Sequence, residues 1–166
     1  MPEKKTIERA RRDKAEGKSA STQAGEFVRE EIDHIREGKH GARSAKQAIA
    51  IGLSMARRAG VKLPPPEKGK QPEKVRRQAK RDLAKGAAEP RKPSPKRSRA
   101  VIGALKRESG AAASHEALSH QARAAASKRT AAERTASAEK AVRARMPAER
   151  SASARKAART RAKART

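Results

Sequence analysis

The stretch that decides the fold is Ser44-Ala-Lys-Gln-Ala-Ile-Ala-Ile-Gly-Leu-Ser-Met-Ala-Arg-Arg-Ala-Gly60. Ser44 and Gln47 have the spacing of a capping box, which predicts a helix start, and Gly60 predicts a left-handed turn at its end. An apolar stripe lies between them at four- and three-residue spacing, formed by Ile49, Leu53 and Ala56. Alanines and a glycine flank this stripe. Because an isolated helix of about 15 residues is marginal in water, we expect a second helix to cover this narrow face.

The preceding segment predicts that second helix. Ser21 and Thr22 offer N-caps, and Gly38 offers a stop after about Glu37. The short, glycine-bounded loop after it is typical of antiparallel helices. We therefore predict a helical hairpin over residues 21–60, within a domain of residues 19–63. Its predicted core consists of Phe27, Val28, Ile32, Ile35, Ile49, Leu53 and Ala56.

Composition limits how much of the chain folds. Hydrophobic residues make up 34% of the 166 residues, the one aromatic residue is Phe27, and charged residues make up 37%. Burial cannot offset chain entropy over most of such a sequence. We predict a mainly α protein without β-sheet, in which basic helices flank the hairpin and a largely disordered or loosely helical tail follows. Because two helices bury little area, we expect a third helix or a homodimer through the hairpin to complete the core.

Charge and proline content divide the rest of the chain. Residues 3–16 favour helix but carry one strongly apolar residue, so we interpret them as a solvated helix that ends at Gly17. The helix after the prolines either closes the hairpin core or stays loose. The predicted segments are a basic N-terminal arm (1–18), a proline-rich linker (64–72), a basic helix (73–86) and a tail (87–166) that contains a 16-residue repeat (133–148, 149–164).

No residue pattern indicates catalysis. There is no cysteine, and the four histidines (34, 40, 115 and 120) lack the spacing of a helical zinc pair. We interpret His34 as a surface histidine and the carboxylates of residues 26–37 as a solvated face, with an intramolecular brake on the basic tail as the alternative. The sequence predicts that the protein is not an enzyme and has no cofactor, metal site, small-molecule substrate or membrane span. It also predicts a cytoplasmic location.

Nucleic-acid binding is the strongest functional signal. The net charge is +26; residues 1–66 hold 15 Lys/Arg against 9 Asp/Glu, and residues 67–166 hold 29 against 9. Such charge favours a polyanion, with an anionic membrane surface as runner-up. Duplex DNA is favoured because there is no Tyr or Trp for base stacking. The predicted phosphate contacts are Lys74, Arg76, Arg77, Lys80, Arg81, Lys96, Arg97, Arg99, Lys128, Arg129, Lys140, Arg143, Arg145, Arg155, Lys156, Arg159, Arg161, Lys163 and Arg165.

The central stretch also carries a family resemblance. Lys46-Gln-Ala-Ile-Ala-Ile-Gly-Leu-Ser54, followed by Ala56-Arg-Arg-Ala-Gly60, resembles the core of a small, lysine-rich bacterial domain family of unknown function whose members are often labelled plasmid stabilisation proteins. The resemblance covers about residues 1–66. It implies a link to DNA maintenance and no catalytic residues.

The expected function is therefore sequence-nonspecific, non-enzymatic duplex DNA binding by phosphate neutralisation, in the nucleoid or on a plasmid. Two alternatives remain: an RNA- or ribosome-associated protein, and a helical protein-docking module whose tail localises it.

Overall fold

The computed structural model describes residues 2–88, 94–143 and 147–163. Within these ranges the chain forms helices and no strand, so the mainly α prediction is confirmed there. Two compact units are present, residues 1–121 and residues 122–166. The helices are α1 (Lys4–Ala15), α2 (Ala20–Arg36), α3 (Ala45–Arg58), α4 (Glu73–Ala87), α5 (Pro95–Lys106), a 3₁₀ turn (Gly110–Ala113), α6 (His115–Ser127), α7 (Ala131–Arg143) and α8 (Pro147–Lys163).

Close approach of α2 and α3 forms the hairpin. A Cβ atom on Gly52 would lie 2.6 Å from the Cα atom of Val28, well inside van der Waals contact. Apart from Arg57, the residues of α3 that are buried with Gly52 are small and lie at three- and four-residue spacing: Ala45, Ala48 and Ala56. Backbone therefore packs almost directly on backbone, which small side chains permit.

The predicted core residues divide between two buried clusters. Ile32 and Ile35 lie in one cluster, with Val28 packed against it. Phe27 and Ala56 lie in the other, with Leu53 packed against it. Ile49 is half-buried and belongs to neither cluster. The face of α3 that meets α2 is the alanine and glycine face, because larger side chains would hold the helices apart.

The helix caps differ in detail from those that the spacing indicates. The N-cap of α2 is Ser19, whose Oγ accepts from the Thr22 amide at 3.4 Å, so the helix begins earlier than Ser21. At α3, Ser44 Oγ accepts from the Gln47 amide at 3.2 Å, but the Gln47 side chain returns to the amide of Arg43. The cap therefore spans one more residue than a regular capping box.

Left-handed glycines end the first three helices. Gly17, Gly38 and Gly60 have φ values of 71°, 73° and 93°. After each glycine the next amide donates to a carbonyl five residues back; in α2 the Lys39 amide donates to His34 O at 3.0 Å. This is the Schellman arrangement, which satisfies carbonyls that a helix end leaves free.

Helix α1 packs on α2 and is not the solvated helix that the sequence indicates. Thr6, Ala10 and Asp13 are buried, and Arg9 Nε lies 2.8 Å from Glu26 Oε2. Ala10 joins the cluster that contains Phe27. This packing could not be predicted from the hydrophobic pattern, because the buried face of α1 consists mainly of Thr, Ala and Asp.

Helix α4 docks on α3 through a buried carboxylate. Asp82 is 2% exposed and accepts from Ser54 Oγ at 2.8 Å and from Gln78 Nε2 at 3.1 Å. Gly86 sits against the carbonyl of Arg57 and the amide of Gly60, where a Cβ atom would overlap backbone. Of the two sequence interpretations of α4, the structure shows the one in which it packs on the hairpin.

Residues that follow α5 also join the hairpin core, although composition assigns them to the tail from residue 87. Ala112 and Ala113 are buried in the cluster with Ile32 and Ile35. The amides of Gly41 and Ala42 donate to Leu105 O and Ser109 O at 2.9 and 3.1 Å. The packed unit therefore extends to about residue 121, because alanines suffice to fill the narrow gap.

The second unit has no buried residues among those described. Helix α7 begins with a full capping box: the Thr130 amide donates to Glu133 Oε2 at 2.8 Å, and the Glu133 amide donates to Thr130 Oγ1 at 3.2 Å. Every described side chain of α8 is exposed. Across the described ranges no helix is long and apolar enough to cross a bilayer.

Substituting Gly52 tests the close approach of α2 and α3. We expect Gly52→Ala to lower the free energy of unfolding by about 1–3 kcal/mol, because the new methyl group meets the Val28 backbone. Urea denaturation followed by circular dichroism measures the change. The matched control is Gly25→Ala on α2, where a Cβ atom meets nothing within 4 Å; it should leave stability unchanged or raise it by up to about 1 kcal/mol. Equal effects of the two substitutions would contradict the packing.

Candidate nucleic-acid interface and a carboxylate-histidine cluster

Exposed cations cover the outer side of α4. Lys74, Arg77, Lys80 and Arg81 are all exposed, and none has an ion-pair partner among the described residues. Lys74, Arg77 and Arg81 lie at three- and four-residue spacing and border one shallow concavity, so they share one side of the helix. Arg76 differs, since its Nη1 lies 3.6 Å from Glu73 Oε1 and its side chain is 27% exposed.

The position of this cationic surface is fixed by the contacts on the opposite side of α4. Asp82 and Ala79 are buried there. Arg57 of α3 lies beside Asp82 and holds the chain that leads to α4, donating to Leu63 O at 3.2 Å and to Pro64 O at 3.3 Å. Burial lowers the pKa of Arg57, and Asp82 partly offsets this. The surface is therefore part of the packed first unit.

Other predicted phosphate contacts are exposed on α5 and α8. Lys96, Arg97 and Arg99 are exposed on α5. On α8, Arg155, Lys156 and Arg159 border a second shallow concavity, and Arg161 is exposed.

Around α7 the predicted contacts are also exposed, and one of them has an acidic neighbour. Lys128, Arg129 and Lys140 are exposed, while Arg143 Nη2 lies 3.7 Å from Glu139 Oε2. Arg145, Arg165 and the side chain of Lys163 lie outside the described residues.

The phenyl ring of Phe27 is not available for base stacking. Phe27 is 1% exposed, inside the cluster with Ala10, Ala24, Ala56 and Val61. Single-strand and RNA modules hold bases mainly on exposed Phe, Tyr and Trp rings, and the chain's one residue of these types is buried.

A second arrangement of polar residues lies at the C-terminal end of α2. We call it the carboxylate-histidine cluster, and it consists of Glu3, Glu30, Glu31, His34 and His40. The side chains of Glu30 and Glu31 are each 3% exposed, and those of His34 and His40 are 19% and 17% exposed. Two carboxylates are therefore almost fully removed from water beside two imidazoles.

Distances within the cluster show which atoms have partners. Glu30 Oε1 accepts from the Glu3 amide at 2.9 Å, and His34 Nε2 lies 3.0 Å from Glu3 Oε1. Glu31 Oε2 lies 3.8 Å from His40 Nε2. The remaining carboxylate atoms, Glu30 Oε2 and Glu31 Oε1, are buried and have no hydrogen-bond partner. Such orphaned oxygens are rare in folded proteins and call for an explanation.

The two ends of the cluster have opposite electrostatics. Burial raises the pKa of Glu31, and proximity to Glu30 adds to this, while His40 and His34 act against it. The hydrogen bond with His34 is the main cause that lowers the pKa of the exposed Glu3 carboxyl. The exposed Glu3 carboxylate is therefore stabilised as an anion, whereas ionising the buried Glu31 carboxyl costs free energy.

This cluster was not predicted from the sequence, where His34 is interpreted as a surface histidine and residues 26–37 as a solvated acidic face. In the structure Glu30 and Glu31 are buried; the Glu3 amide contacts Glu30, and His40, in the loop after Gly38, lies beside Glu31. Glu26 is engaged by Arg9, whereas Asp33 is half-exposed and Glu37 is exposed, so a brake on the tail by this helix stays a prediction. One available signal was Glu31-Ile-Asp-His34, whose i, i+3 spacing places carboxylate and imidazole on one helix face.

Comparison with known proteins gives one finding. A family of unknown function (DUF6496) matches residues 4–68, which include α1, α2 and α3. Comparison with curated proteins finds no match, and comparison with solved structures finds none either. The function of the matched family is unknown, so the match does not support the plasmid-stabilisation label that the resemblance suggested.

Substitution of Glu31 tests the electrostatics of the cluster. Because the folded pKa of Glu31 is raised, the folded chain binds more protons than the unfolded chain above pH 4.5, and the contribution of Glu31 to stability falls as the pH rises. We expect the free energy of unfolding of Glu31→Gln, relative to that of the wild type, to increase between pH 4 and pH 7. Urea denaturation measures this difference, with a chelator present so that no metal ion binds to the carboxylates. Asp33→Asn, at a half-exposed site on the same helix, is the control. A difference that stays constant or falls would contradict the burial of this carboxylate.

Proposed function

We propose that this chain is a non-enzymatic protein that binds duplex DNA without sequence specificity, through phosphate neutralisation. The observation that carries the proposal is the set of exposed cations on α4, held without acidic partners on a helix that is docked to the core. Lys74 and Arg81 are separated by about 10 Å along the helix axis. Four cations within this length can therefore displace counterions from a phosphate backbone.

The distribution of ion pairs supports this proposal. Several acidic residues of and next to α1 and α2 are paired within the first unit: Lys18 Nζ lies 2.8 Å from Asp13 Oδ1, and Lys39 Nζ lies 2.9 Å from Glu37 Oε2. From α4 onward cations greatly outnumber acids, with 29 Lys/Arg against 9 Asp/Glu after residue 66. The positive potential therefore arises mostly outside the hairpin, where a polyanion can reach it.

The burial of Phe27 favours duplex over single-stranded nucleic acid. With Phe27 buried and no Tyr or Trp in the sequence, the chain lacks the large aromatic rings on which single-strand modules usually stack unpaired bases. A duplex presents its phosphates on the outside, so cations alone suffice to hold it. Structured RNA shares this property and is the outcome against which the proposal is tested.

In this proposal the tail adds a second set of phosphate contacts. Residues 122–166 contain 14 Lys/Arg and 3 Asp/Glu, on helices with no buried residues among those described. Such segments follow a phosphate backbone because no packing contact is lost when they move. Association with the nucleoid or with a plasmid is the biological setting that we propose for this binding.

Neutralising the α4 surface tests its role. We expect the combined substitution of Lys74, Arg77, Lys80 and Arg81 by Gln to weaken binding of duplex DNA and to reduce the slope of log K against log salt by up to about 3.6. Fluorescence anisotropy over a range of salt concentrations measures both effects.

The matched control replaces Lys4, Lys5, Arg11 and Lys14 of α1 by Gln. These residues are also exposed, and the net charge falls by the same amount. The control should change the slope much less, because acidic residues are interleaved with these cations. Equal losses for the two variants would show that total charge matters and the α4 surface does not. Tighter binding to structured RNA than to duplex DNA would favour the alternative function.

Truncation after Gln121 tests the tail. The cut leaves the first unit intact, including Ala112 and Ala113, whereas a cut at residue 87 would remove part of its core. We expect the truncated chain to unfold at the same urea concentration as the full chain but to bind duplex DNA more weakly and with a smaller salt slope. Unchanged affinity would restrict binding to the first unit.

A further inference from the structure

We propose that the carboxylate-histidine cluster is a binding site for one divalent transition-metal ion of the zinc type, with Glu31, His34 and His40 as ligands. One ligand atom from each of these three residues lies within 4.8 Å of the others. Two imidazoles and one carboxylate form a donor set that suits zinc and its neighbours, whereas Mg²⁺ and Ca²⁺ prefer oxygen. The site is independent of the proposed DNA contacts, which lie on other helices.

The orphaned carboxylate oxygens are the observation that points to a cation. Glu31 is 2% exposed, and its Oε1 atom has no hydrogen-bond partner; Glu30 is 4% exposed, and its Oε2 atom has none. Burying a carboxylate oxygen without a partner costs free energy. A metal ion bound between Glu31 and the histidines would supply the positive charge that this pair of carboxylates lacks.

The hydrogen bond made by His40 prepares it as a ligand. Its Nδ1 atom lies 3.2 Å from Gly41 O. A carbonyl oxygen only accepts, so Nδ1 carries the hydrogen, and in the neutral ring the lone pair is on Nε2. That atom faces Glu31 Oε2 at 3.8 Å. Two electron-rich atoms thus face each other, and a backbone carbonyl orients the ring as it does in many metal sites.

The spacing of the ligand atoms is close to what a metal requires. Bonds of about 2.1 Å in a tetrahedral site place ligand atoms roughly 3.4 Å apart. The 3.8 Å separation of Glu31 Oε2 and His40 Nε2 therefore needs to shrink by a few tenths of an ångström. The His34 ligand atom lies within 4.8 Å of the other two, so in this proposal its ring also turns toward the ion, by up to about 1.4 Å.

The fold places the ligands on well-fixed backbone. Glu31 and His34 lie one turn apart on α2, and His40 follows the Schellman turn at Gly38. The carbonyl end of a helix carries partial negative charge, which favours a cation. Gly41 and Ala42, next to His40, are held by hydrogen bonds to Leu105 and Ser109. The ligands therefore need little ordering when the ion binds.

Residues at the rim act as supports in this proposal. Glu3 contacts His34 Nε2 at 3.0 Å and Lys39 Nζ at 3.5 Å. Because Lys39 already balances its charge, Glu3 is a positioning residue for the His34 ring and is not a ligand. Glu30 is held through Oε1 by the Glu3 amide, and its free oxygen stands beside the site.

Zinc titration of the untagged, full-length protein tests the proposal. After treatment with a chelator and its removal, isothermal titration at pH 7.5 should give one equivalent of bound Zn²⁺, and bound Zn²⁺ should raise the unfolding temperature. His40→Gln and Glu31→Gln should each weaken binding by at least about tenfold. His120→Gln on α6, whose histidine is exposed, should bind Zn²⁺ as the wild type does.

Two further measurements separate a metal site from a cluster that only exchanges protons. Substituting Co²⁺ should give visible absorption bands that disappear in His40→Gln, and excess Mg²⁺ should not displace the ion. If His40→Gln does not fold, Glu31→Gln carries the same test. Absence of Zn²⁺ binding in the wild type, or wild-type binding by both Glu31→Gln and His40→Gln, would overturn the proposal.

Discussion

The rest of the first unit depends on the close approach of α2 and α3 at Gly52. Alanines on either side of Gly52 let the backbones of α2 and α3 approach closely, so little apolar side-chain area is buried between the two helices. A hairpin of this kind gains its stability from continuous contact rather than from large side chains. It also leaves the outer faces of both helices open. Helices α1 and α4 and the turn at Ala112 and Ala113 each cover part of these faces.

Charge is arranged around this core in two different ways. In the hairpin and α1, acids meet cations at short distance, as Arg9 meets Glu26, and some carboxylates are removed from water. On α4 a single carboxylate, Asp82, is buried as an anchor, while the cations of the same helix other than Arg76 remain in solvent. One side of α4 thus packs on α3, and the other side presents positive charge to solvent. A chain with very few large apolar residues uses polar anchors where another protein would use leucine.

Sequence patterns predicted those features that depend on local signals. The glycine stops at Gly17, Gly38 and Gly60 follow from backbone freedom, and the hairpin follows from two apolar stripes joined by a short loop. Packing through small residues could not be predicted in the same way, since alanine is as common on exposed helices as in cores. For this reason the burial of Ala10, Ala112 and Ala113 was missed. The carboxylate-histidine cluster was missed because its members come from three segments, and only tertiary contact brings Glu3 and His40 to α2.

Glycines at three positions have a consequence for recognising related chains. Gly52, Gly41 and Gly86 each lie where a Cβ atom would meet the backbone of another segment: α2, Glu108 and Arg57, respectively. The family match over residues 4–68 includes the first two but not Gly86, and the partner of Gly41 also lies beyond it. A bulkier residue at position 52 would push α2 and α3 apart within the hairpin. A bulkier residue at position 41 or 86 would instead disturb the contact with Glu108 or Arg57. These three sites thus distinguish relatives that share the whole first unit from those that share its hairpin alone.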